Sequence, residues 1–517
     1  MGNQNNNLAN LLDDSVSRFP KRVALIFGSR KITYAQLGFI SRKISGGLLN
    51  LGIKPSDKVA LWLPNCREFI YSYFAILRLG ATVVPVNNML KREEARYVIE
   101  DSQAKTLICS IDKTEDAKNI LSRIESLENV IVSPFPKDDR IVLNFTKLIH
   151  ESQEFKQKTE IKESDIAQIV YTSGTTGKPK GVCLTHSNIY SNVRASALAI
   201  YFNKRDSLIC ILPLFHSFAS TVCMCLPLYK GAKIVLMRSV RPFKRIIRAI
   251  FKHRVTVFIG VPSLYNILNE MKLKKWQWIF NLILNPLRLS ISGAAALPGS
   301  VWQKFEKKFK RPLLQGYGLT EASPVVSMNP LKGRRKPDSI GLPVDKVLIK
   351  IVDKNDKEVP LGQVGELLVR GPNVMQGYFN LEAETAKVLK NGWLYTGDLA
   401  KKDKDGHFYI IGRSKEMINV RGFNVYPREI EDILYKYPHV KEAAVVGVNH
   451  KHRGEVPVVF LVSDKEISQR EVIVYLRNNL ASYKVPLKVF FKDNLPKNTT
   501  GKILKRQLKD EIKDLFE

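Results

Sequence analysis

Cysteine is scarce in this sequence. Six occur among 517 residues (Cys66, Cys109, Cys183, Cys210, Cys223 and Cys225), and no two are spaced as a CxxC pair. That argues against a disulfide-stapled scaffold and a CxxC redox motif. Cys223-Met-Cys225 lacks suitably spaced histidines for a soft metal, so the thiols read as ordinary buried ones. No leader is expected either. Residues 1–7 carry neither a basic nor an apolar stretch, which predicts no secretory signal. Asn6 stands where myristoylation prefers Ser or Thr, and the C-terminal Asp514-Leu-Phe-Glu517 is not a peroxisomal address. The expected location is cytoplasmic and reducing.

Acid is the second shortage. There are 49 Asp+Glu against 81 Lys+Arg, a net charge of +32. The apolar share of 44% is ordinary, so the excess charge overlies a folded chain. The length suggests two to four domains. Such charge invites nucleic acid, an anionic membrane surface or polyanionic small substrates. No RNA-recognition or zinc-finger signature is present, which argues against nucleic acid. No repeat of 20 to 50 residues occurs. Residues 207–229 carry no formal charge and are long enough to span a bilayer. Pro213, His216, Ser217, Ser220, Thr221 and Pro227 interrupt them, so a buried strand–turn–helix is the expectation.

What is present is an α/β pattern. Apolar spacing predicts helices over 8–19, 35–51 and 69–79. Short apolar runs at 59–63 and 81–86 predict buried strands. Strand, helix, strand at this spacing implies a mainly parallel sheet. Beyond the turn-rich stretch 401–406 the pattern changes. Strands are expected at 445–448 and 456–462, and helices at 429–435 and 469–480. The expected fold is a large α/β domain over 1–412 and a small α+β domain over 413–517.

The strongest local signal is Tyr171-Thr-Ser-Gly-Thr-Thr-Gly-Lys-Pro-Lys-Gly-Val182. Ile169 to Tyr171 can end a strand. Thr172, Ser173, Thr175 and Thr176 offer hydroxyls, and Lys178 and Lys180 offer charge. Gly174 and Gly177 let backbone N–H groups approach phosphate oxygens. Pro179 follows Lys178, so this is not a Walker A loop.

The segment resembles the phosphate loop of the adenylate-forming superfamily, which includes acyl-CoA synthetases, luciferases and peptide-synthetase adenylation domains. Further segments match in the family's order: Gln315-Gly-Tyr-Gly-Leu-Thr-Glu321, Tyr395-Thr-Gly-Asp398, Gly412-Arg-Ser-Lys-Glu-Met-Ile418, Arg421-Gly-Phe-Asn-Val-Tyr-Pro427 and Pro496-Lys-Asn-Thr-Thr-Gly-Lys502. The resemblance is closest to fatty acyl-CoA synthetases. It implies ATP and CoA as substrates and Mg²⁺ as the metal, held by Glu321 with Ser173 as a second oxygen. It implies nucleotide contacts from Gly293, Ala294, Ala295, Gln315, Gly316, Tyr317, Gly318 and Thr320. Asp398 and Arg413 would hold the ribose. Lys502 would be the lysine of the first step, bridging carboxylate and α-phosphate. Lys415 takes the position of the family's hinge, which makes the small domain mobile. Arg421, Gly422 and Phe423 would line the thiol tunnel.

His216, in Pro213-Leu-Phe-His-Ser-Phe218, reads by itself as a satisfied core histidine; the resemblance implies instead a gate beside the acyl pocket. A gate suits it better than general base, since a carboxylate needs none. Phe215, His216 and Ser217 offer no acid for a substrate amine, which disfavours amino acids. Ser292-Gly-Ala-Ala-Ala-Leu-Pro298 puts small residues where, by the resemblance, an acyl pocket would meet adenine. Val261, Leu264, Tyr265 and Leu297 are candidate wall residues. The expected substrate is a medium- or long-chain fatty acid, with acyl carrier protein phosphopantetheine as the alternative acceptor to CoA.

The small domain from residue 415 carries a net charge of only +5. Residues 207–305 hold 14 Lys+Arg and one acid, Glu270. Within them, 241–254 is basic and amphipathic, and 274–280 pairs lysines with aromatics. Both suit peripheral attachment to an anionic membrane surface; the alternative is a solvated basic face.

Overall fold

In the strand Lys58–Trp62, Val59 and Leu61 join one apolar cluster while Ala60 and Trp62 join another. Alternate side chains leave opposite faces of a strand, so both faces of this sheet are covered. That is why the run reads as continuously apolar. The computed structural model describes residues 7–133, 141–172, 178–271, 285–420, 423–450, 454–498, 501–512 and 515–516.

Among these residues the strands form five sheets. One has eight strands, with a parallel centre that includes Lys58–Trp62, Thr82–Pro85 and Ala104–Ser110. A second has nine. Its parallel centre runs Leu313–Gly318, Leu289–Ser292, Val257–Gly260, Ser207–Cys210, Lys233–Leu236, Val23–Phe27. A third has five strands, all antiparallel, including Gly365–Arg370, Trp393–Lys402 and Phe408–Arg413. The first two bear out the α/β expectation; the third was not anticipated by it. The small domain adds a hairpin and a three-stranded sheet. Its clusters, built around Val445 and Val459 on one face and Val446 and Val458 on the other, contain no residue before 418.

The expected helices are present with shifted ends. Helices run Asn10–Arg18, Tyr34–Asn50 and Arg67–Arg78. The second begins at a capping box: Gln36 N–H donates to Thr33 Oγ1 at 3.2 Å, and Thr33 N–H donates back to Gln36 Oε1 at 2.9 Å. Such a box satisfies two orphan donors and fixes where a helix starts.

The uncharged run 207–229 folds as the strand Ser207–Cys210, a π-helical stretch Ala219–Cys225 and the short helix Leu226–Tyr229. Among the described residues no helix is long and apolar enough to cross a membrane. All six cysteines are free, and five are buried, Cys66 being half-buried.

Candidate functional site

The parallel strands of the nine-stranded sheet carry their carboxyl ends to one edge. Crevices outside such ends are where open α/β sheets bind ligands. A cavity of about 710 Å³ opens there. Gly293 and Ala294 reach it from the end of strand Leu289–Ser292, and Gly316, Tyr317 and Gly318 from the end of Leu313–Gly318. The 3₁₀ turn Thr320–Ala322 adds Thr320 and Glu321. Thr172, the last residue of strand Ile166–Thr172, also lines it. Gly318 is required by close approach: a Cβ there would lie 1.9 Å from the Pro324 carbonyl oxygen.

The antiparallel sheet supplies the charged wall. Asp398 and Arg413 are cross-strand partners, and Arg413 Nε lies 2.8 Å from Asp398 Oδ1. Tyr317 Oη donates to Asp398 Oδ2 at 2.5 Å. Burial, and then the charge of Asp398, push the Tyr317 phenol well above its usual range, so it stays a donor. Desolvation pulls the Arg413 guanidinium down, but Asp398 and Tyr317 outweigh it and raise its pKa. The main-chain turn before Asp398 is pinned too: Gly397 N–H donates to Glu366 Oε1 at 2.9 Å.

Lys502 arrives from the small domain. Its N–H donates to Asn498 Oδ1, and its carbonyl accepts from Asn498 N–H, each at 2.9 Å. Gly501 brings this turn onto the large domain, where a Cβ would meet Ser263 and Val261 at 3.5 Å. Lys502 and Asn498 both line the cavity. Desolvation pushes the Lys502 ammonium below the usual lysine range, and Arg413 lowers it further; Glu416 and Asp398 oppose. The turn Ser414–Glu416, with Lys415 at its centre, follows Arg413 directly and lines the same cavity.

Glu321 has Tyr378 Oη donating to its Oε1 at 3.1 Å. Thr320, next in the chain, and Tyr378, bonded to the carboxylate, both offer oxygen. That donor set fits a hard cation such as Mg²⁺ shared with phosphate oxygens. Among the described residues no group of three or more His, Cys, Asp or Glu side chains could hold a metal, and a phosphate-shared Mg²⁺ needs none.

His216 lines the cavity beside Ser217, whose hydroxyl is 3.2 Å from that of Thr320. Burial lowers its pKa to about 4, so the ring is neutral at pH 7. Phe218 N–H donates to Nδ1 at 3.3 Å, which assigns the ring proton to Nε2.

Several expected site residues lie elsewhere. Gln315 is buried in its strand and Ala295 is half-buried, and neither lines the cavity. Lys178 is exposed, its ammonium 5.8 Å from the Tyr97 ring. Of the two lysines of this segment, Lys180 is the one that lines the cavity, paired with Glu384. Phe423 is 56% exposed and stacks on Tyr483 at 4.8 Å. Ser173, Gly174, Thr175, Thr176, Gly177, Arg421 and Gly422 lie outside the described residues.

The four acyl-wall candidates are not brought to the cavity. Val261, Leu264, Tyr265 and Leu297 are buried in the main apolar cluster. Tyr265 Oη donates to the Ile291 carbonyl at 2.7 Å, and its ring packs edge-on against Phe258 and Phe305. The space above Gly293 is also filled. A Cβ there would lie 2.7 Å from the Phe218 ring, so the missing side chain admits Phe218 rather than a chain. Tyr378, Glu366 and Glu384 were missed because they lie outside the distinctive strings, and Asn498 because, inside the 496–502 string, it was passed over for Lys502. Only the antiparallel register and the docking of the small domain bring them in.

Comparison with known proteins agrees with this geometry. The AMP-binding enzyme family matches residues 12–379, and the AMP-binding enzyme C-terminal domain matches residues 429–502. A long-chain-fatty-acid–CoA ligase of Bacillus subtilis is 35% identical over 538 residues, covering 98% of this chain and 95% of that one. A 4-coumarate–CoA ligase of Pinus taeda is 32% identical, covering 96% and 94%. ATP-bound MatB from Rhodopseudomonas palustris superposes with a TM-score of 0.92 at 30% identity, covering 99% and 100% of the two chains. Its apo form gives 0.80 over the same coverage. The chain belongs to the AMP-binding, adenylate-forming enzyme family.

Proposed function

We propose that the protein is an ATP-dependent acid–CoA ligase whose acid is a medium- or long-chain fatty acid. The observation that carries this reading is the meeting of Tyr317 and Arg413 with Lys502 at one cavity, the first two both bound to the buried Asp398. A carboxylate is a poor acyl donor because its leaving group would be oxide. In the first step its oxygen attacks the α-phosphorus of ATP and pyrophosphate leaves, giving an acyl-adenylate. In the second, the CoA thiol attacks the acyl carbonyl and AMP leaves.

The chain's own groups divide this work. Asp398, already oriented by Arg413 and Tyr317, accepts from the ribose hydroxyls, since a carboxylate has lone pairs to spare. Tyr317 stacks on adenine, flanked by Gly293, Ala294, Gly316 and Gly318. Thr172, Thr320 and the loop 173–178 hold phosphate. Lys502 bridges the substrate carboxylate and the α-phosphate, lowering their repulsion and stabilising charge in the transition state. Glu321, with Ser173, would hold a Mg²⁺ that neutralises triphosphate charge. His216 stays neutral and gates the acyl side.

Lys415 is the pivot about which the small domain turns between steps, with the large domain ending at residue 412. The turn withdraws Lys502 and brings Arg421, Gly422 and Phe423 to the thiol's path. The higher similarity to ATP-bound than to apo MatB supports reading the present arrangement as the adenylating one. The name of the B. subtilis relative, and the absence of an acid in Phe215-His-Ser217, support a fatty acid.

The test is pyrophosphate release across acids of increasing chain length, with CoA as acceptor. Release should peak with fatty acids of medium or long chain. Release with acetate or 4-coumarate and none with fatty acids would overturn the substrate. Acyl transfer from preformed adenylate to holo carrier protein, and none to CoA, would overturn the acceptor.

A further inference from the structure

Five parallel strands of the nine-stranded sheet begin at the edge opposite the nucleotide crevice: Val23–Phe27, Lys233–Leu236, Ser207–Cys210, Val257–Gly260 and Leu289–Ser292. A cleft of about 600 Å³ opens at that edge, lined by Arg22, Arg205, Lys233 and Arg254 around Asp206 and Thr256.

The acid in this cleft is already matched. Asp206 is buried and takes a two-pronged contact from Arg288, both bonds at 2.7 Å. It also accepts from the Thr256 hydroxyl at 2.7 Å and from Asn203 N–H at 2.9 Å. Its charge therefore neutralises Arg288 and none of the lining cations. Among the described residues Arg22, Arg205, Lys233 and Arg254 make no ion pair.

Main-chain carbonyls hold two of these cations in place. Arg22 Nε donates to the Gly231 carbonyl at 3.1 Å, and a second nitrogen to that of Lys204. Lys233 Nζ donates to the His253 carbonyl at 2.7 Å. Burial lowers the Lys233 pKa, and the like charges of Lys31, Arg22 and Arg254 lower it further. Four cations are thus crowded together in a concave surface whose one carboxylate, Asp206, is already committed to Arg288. The crowding continues along the neighbouring helix Lys244–Lys252, where Arg245, Arg248 and Lys252 line the next depression with His253. The local sequence offers no relief. Residues 207–305 contain one acid, Glu270, and it faces Lys441 of the small domain at 3.8 Å.

We propose that this cleft is a second anion site, for a ligand carrying two or more phosphate groups, separate from the nucleotide crevice. Arginine forks match phosphate oxygens in pairs, and a concave wall of one sign concentrates its field. The phosphates are those of a free oligophosphate or of the headgroups of an anionic lipid surface. The two sources share one chemistry and differ in the probe that detects them.

The probes are inorganic tripolyphosphate, titrated calorimetrically, and phosphatidylglycerol vesicles, tested by cosedimentation. Both use the full chain with its nucleotide crevice filled by an unreactive ATP analogue. Binding of either probe at low salt is expected, with release at high salt. The Arg22→Gln/Lys233→Gln/Arg254→Gln variant should bind roughly a hundredfold more weakly, at a few-fold per cation removed. Its pyrophosphate release with ATP and acid should be unchanged. The Arg205→Gln/Arg254→Gln variant, altered only at exposed positions, gives the same test if the triple variant does not fold. Tripolyphosphate binding without vesicle binding identifies a free ligand; vesicle binding alone identifies a lipid surface. Binding of neither probe, or equal binding by wild type and variants, overturns the site. Absence of adenylation in wild type would overturn the ligase reading and leave the binding result standing.

Discussion

The two edges of the nine-stranded sheet treat charge in opposite ways. At the carboxyl edge cations are set against carboxylates: Arg413 against Asp398 at 2.8 Å, Lys180 against Glu384, and Lys505, behind the cavity, against Glu416 at 3.1 Å and Glu431 at 2.8 Å. At the amino edge four cations crowd one cleft whose single acid is spent on Arg288. Paired charges produce geometry and little net field; crowded unpaired ones produce field. Chemistry needs the first, because reacting atoms must be held in place. Capture of an anion needs the second. The overall +32 is therefore not one property with one purpose.

Lys502 sharpens the contrast, since it stands at the paired edge with its ammonium pushed down by desolvation and Arg413. Lys505, three residues on, is raised: desolvation lowers it, but Glu431 and Glu416 prevail. One lysine is kept for substrate and the other is committed to the fold. The largest expected effect follows. Lys502→Ala should cut ATP–pyrophosphate exchange by about 10²–10³-fold, with AMP binding retained. Unchanged exchange would erase the distinction between the two lysines. Next, Asp398→Asn leaves Arg413 without its carboxylate and should weaken AMP binding roughly tenfold, read by equilibrium dialysis; an unaltered affinity would mean that the pairing positions nothing. Lys505→Met should leave AMP affinity unchanged and lower unfolding stability in urea by about 2 kcal/mol. The loss falls below that of a fully buried pair because the Lys505 side chain keeps 23% exposure.

Much of the carboxyl edge is legible in the sequence, because its residues sit in short, unusual strings. Gly-Tyr-Gly at 316–318 and Thr-Gly-Asp at 396–398 match the family's motifs in order, whereas an Asp after Gly taken alone reads as a turn. The acyl wall is not legible in the same way. Val261, Leu264, Tyr265 and Leu297 satisfy the same apolar pattern whether they face a ligand or the core, and they face the core. Gly293 does line the cavity, but a missing side chain marks close approach without saying by what, and here it is Phe218. The antiparallel sheet escapes notice because its longest strand, Trp393–Lys402, alternates buried and half-buried positions rather than forming an apolar run. The basic cleft is visible only as a shortage of acid. Arg22 and Arg254 lie 232 positions apart, and only the parallel order of the strands brings them together.

The smallest effect separates the two edges most cleanly. His216 at the carboxyl edge and His253 at the amino edge both have lowered pKa values, for different reasons. For His216 the cause is burial alone, which takes it to about 4. For His253 burial leads, and the charges of Lys252, Lys233 and Lys31 add to it. In both cases the fold favours the neutral ring. The associated stability is fully present above the ordinary histidine range near pH 6.5. It is lost as pH falls through that value and, for His216, on towards 4. Between pH 6.5 and 4 the neutral native His216 steepens the loss by about 1.4 kcal/mol per pH unit. Salt distinguishes the causes. It screens charge–charge repulsion between partly exposed groups and leaves desolvation untouched. Histidine ring resonances followed by NMR through an acid titration, at low and high ionic strength, should show the His253 midpoint rising with salt and the His216 midpoint fixed. Tripolyphosphate should raise the His253 midpoint in the same direction, because an anion in the cleft removes the same repulsion. If both midpoints moved together, the crowding at the amino edge would not be what sets His253, and the two edges would differ in shape but not in field.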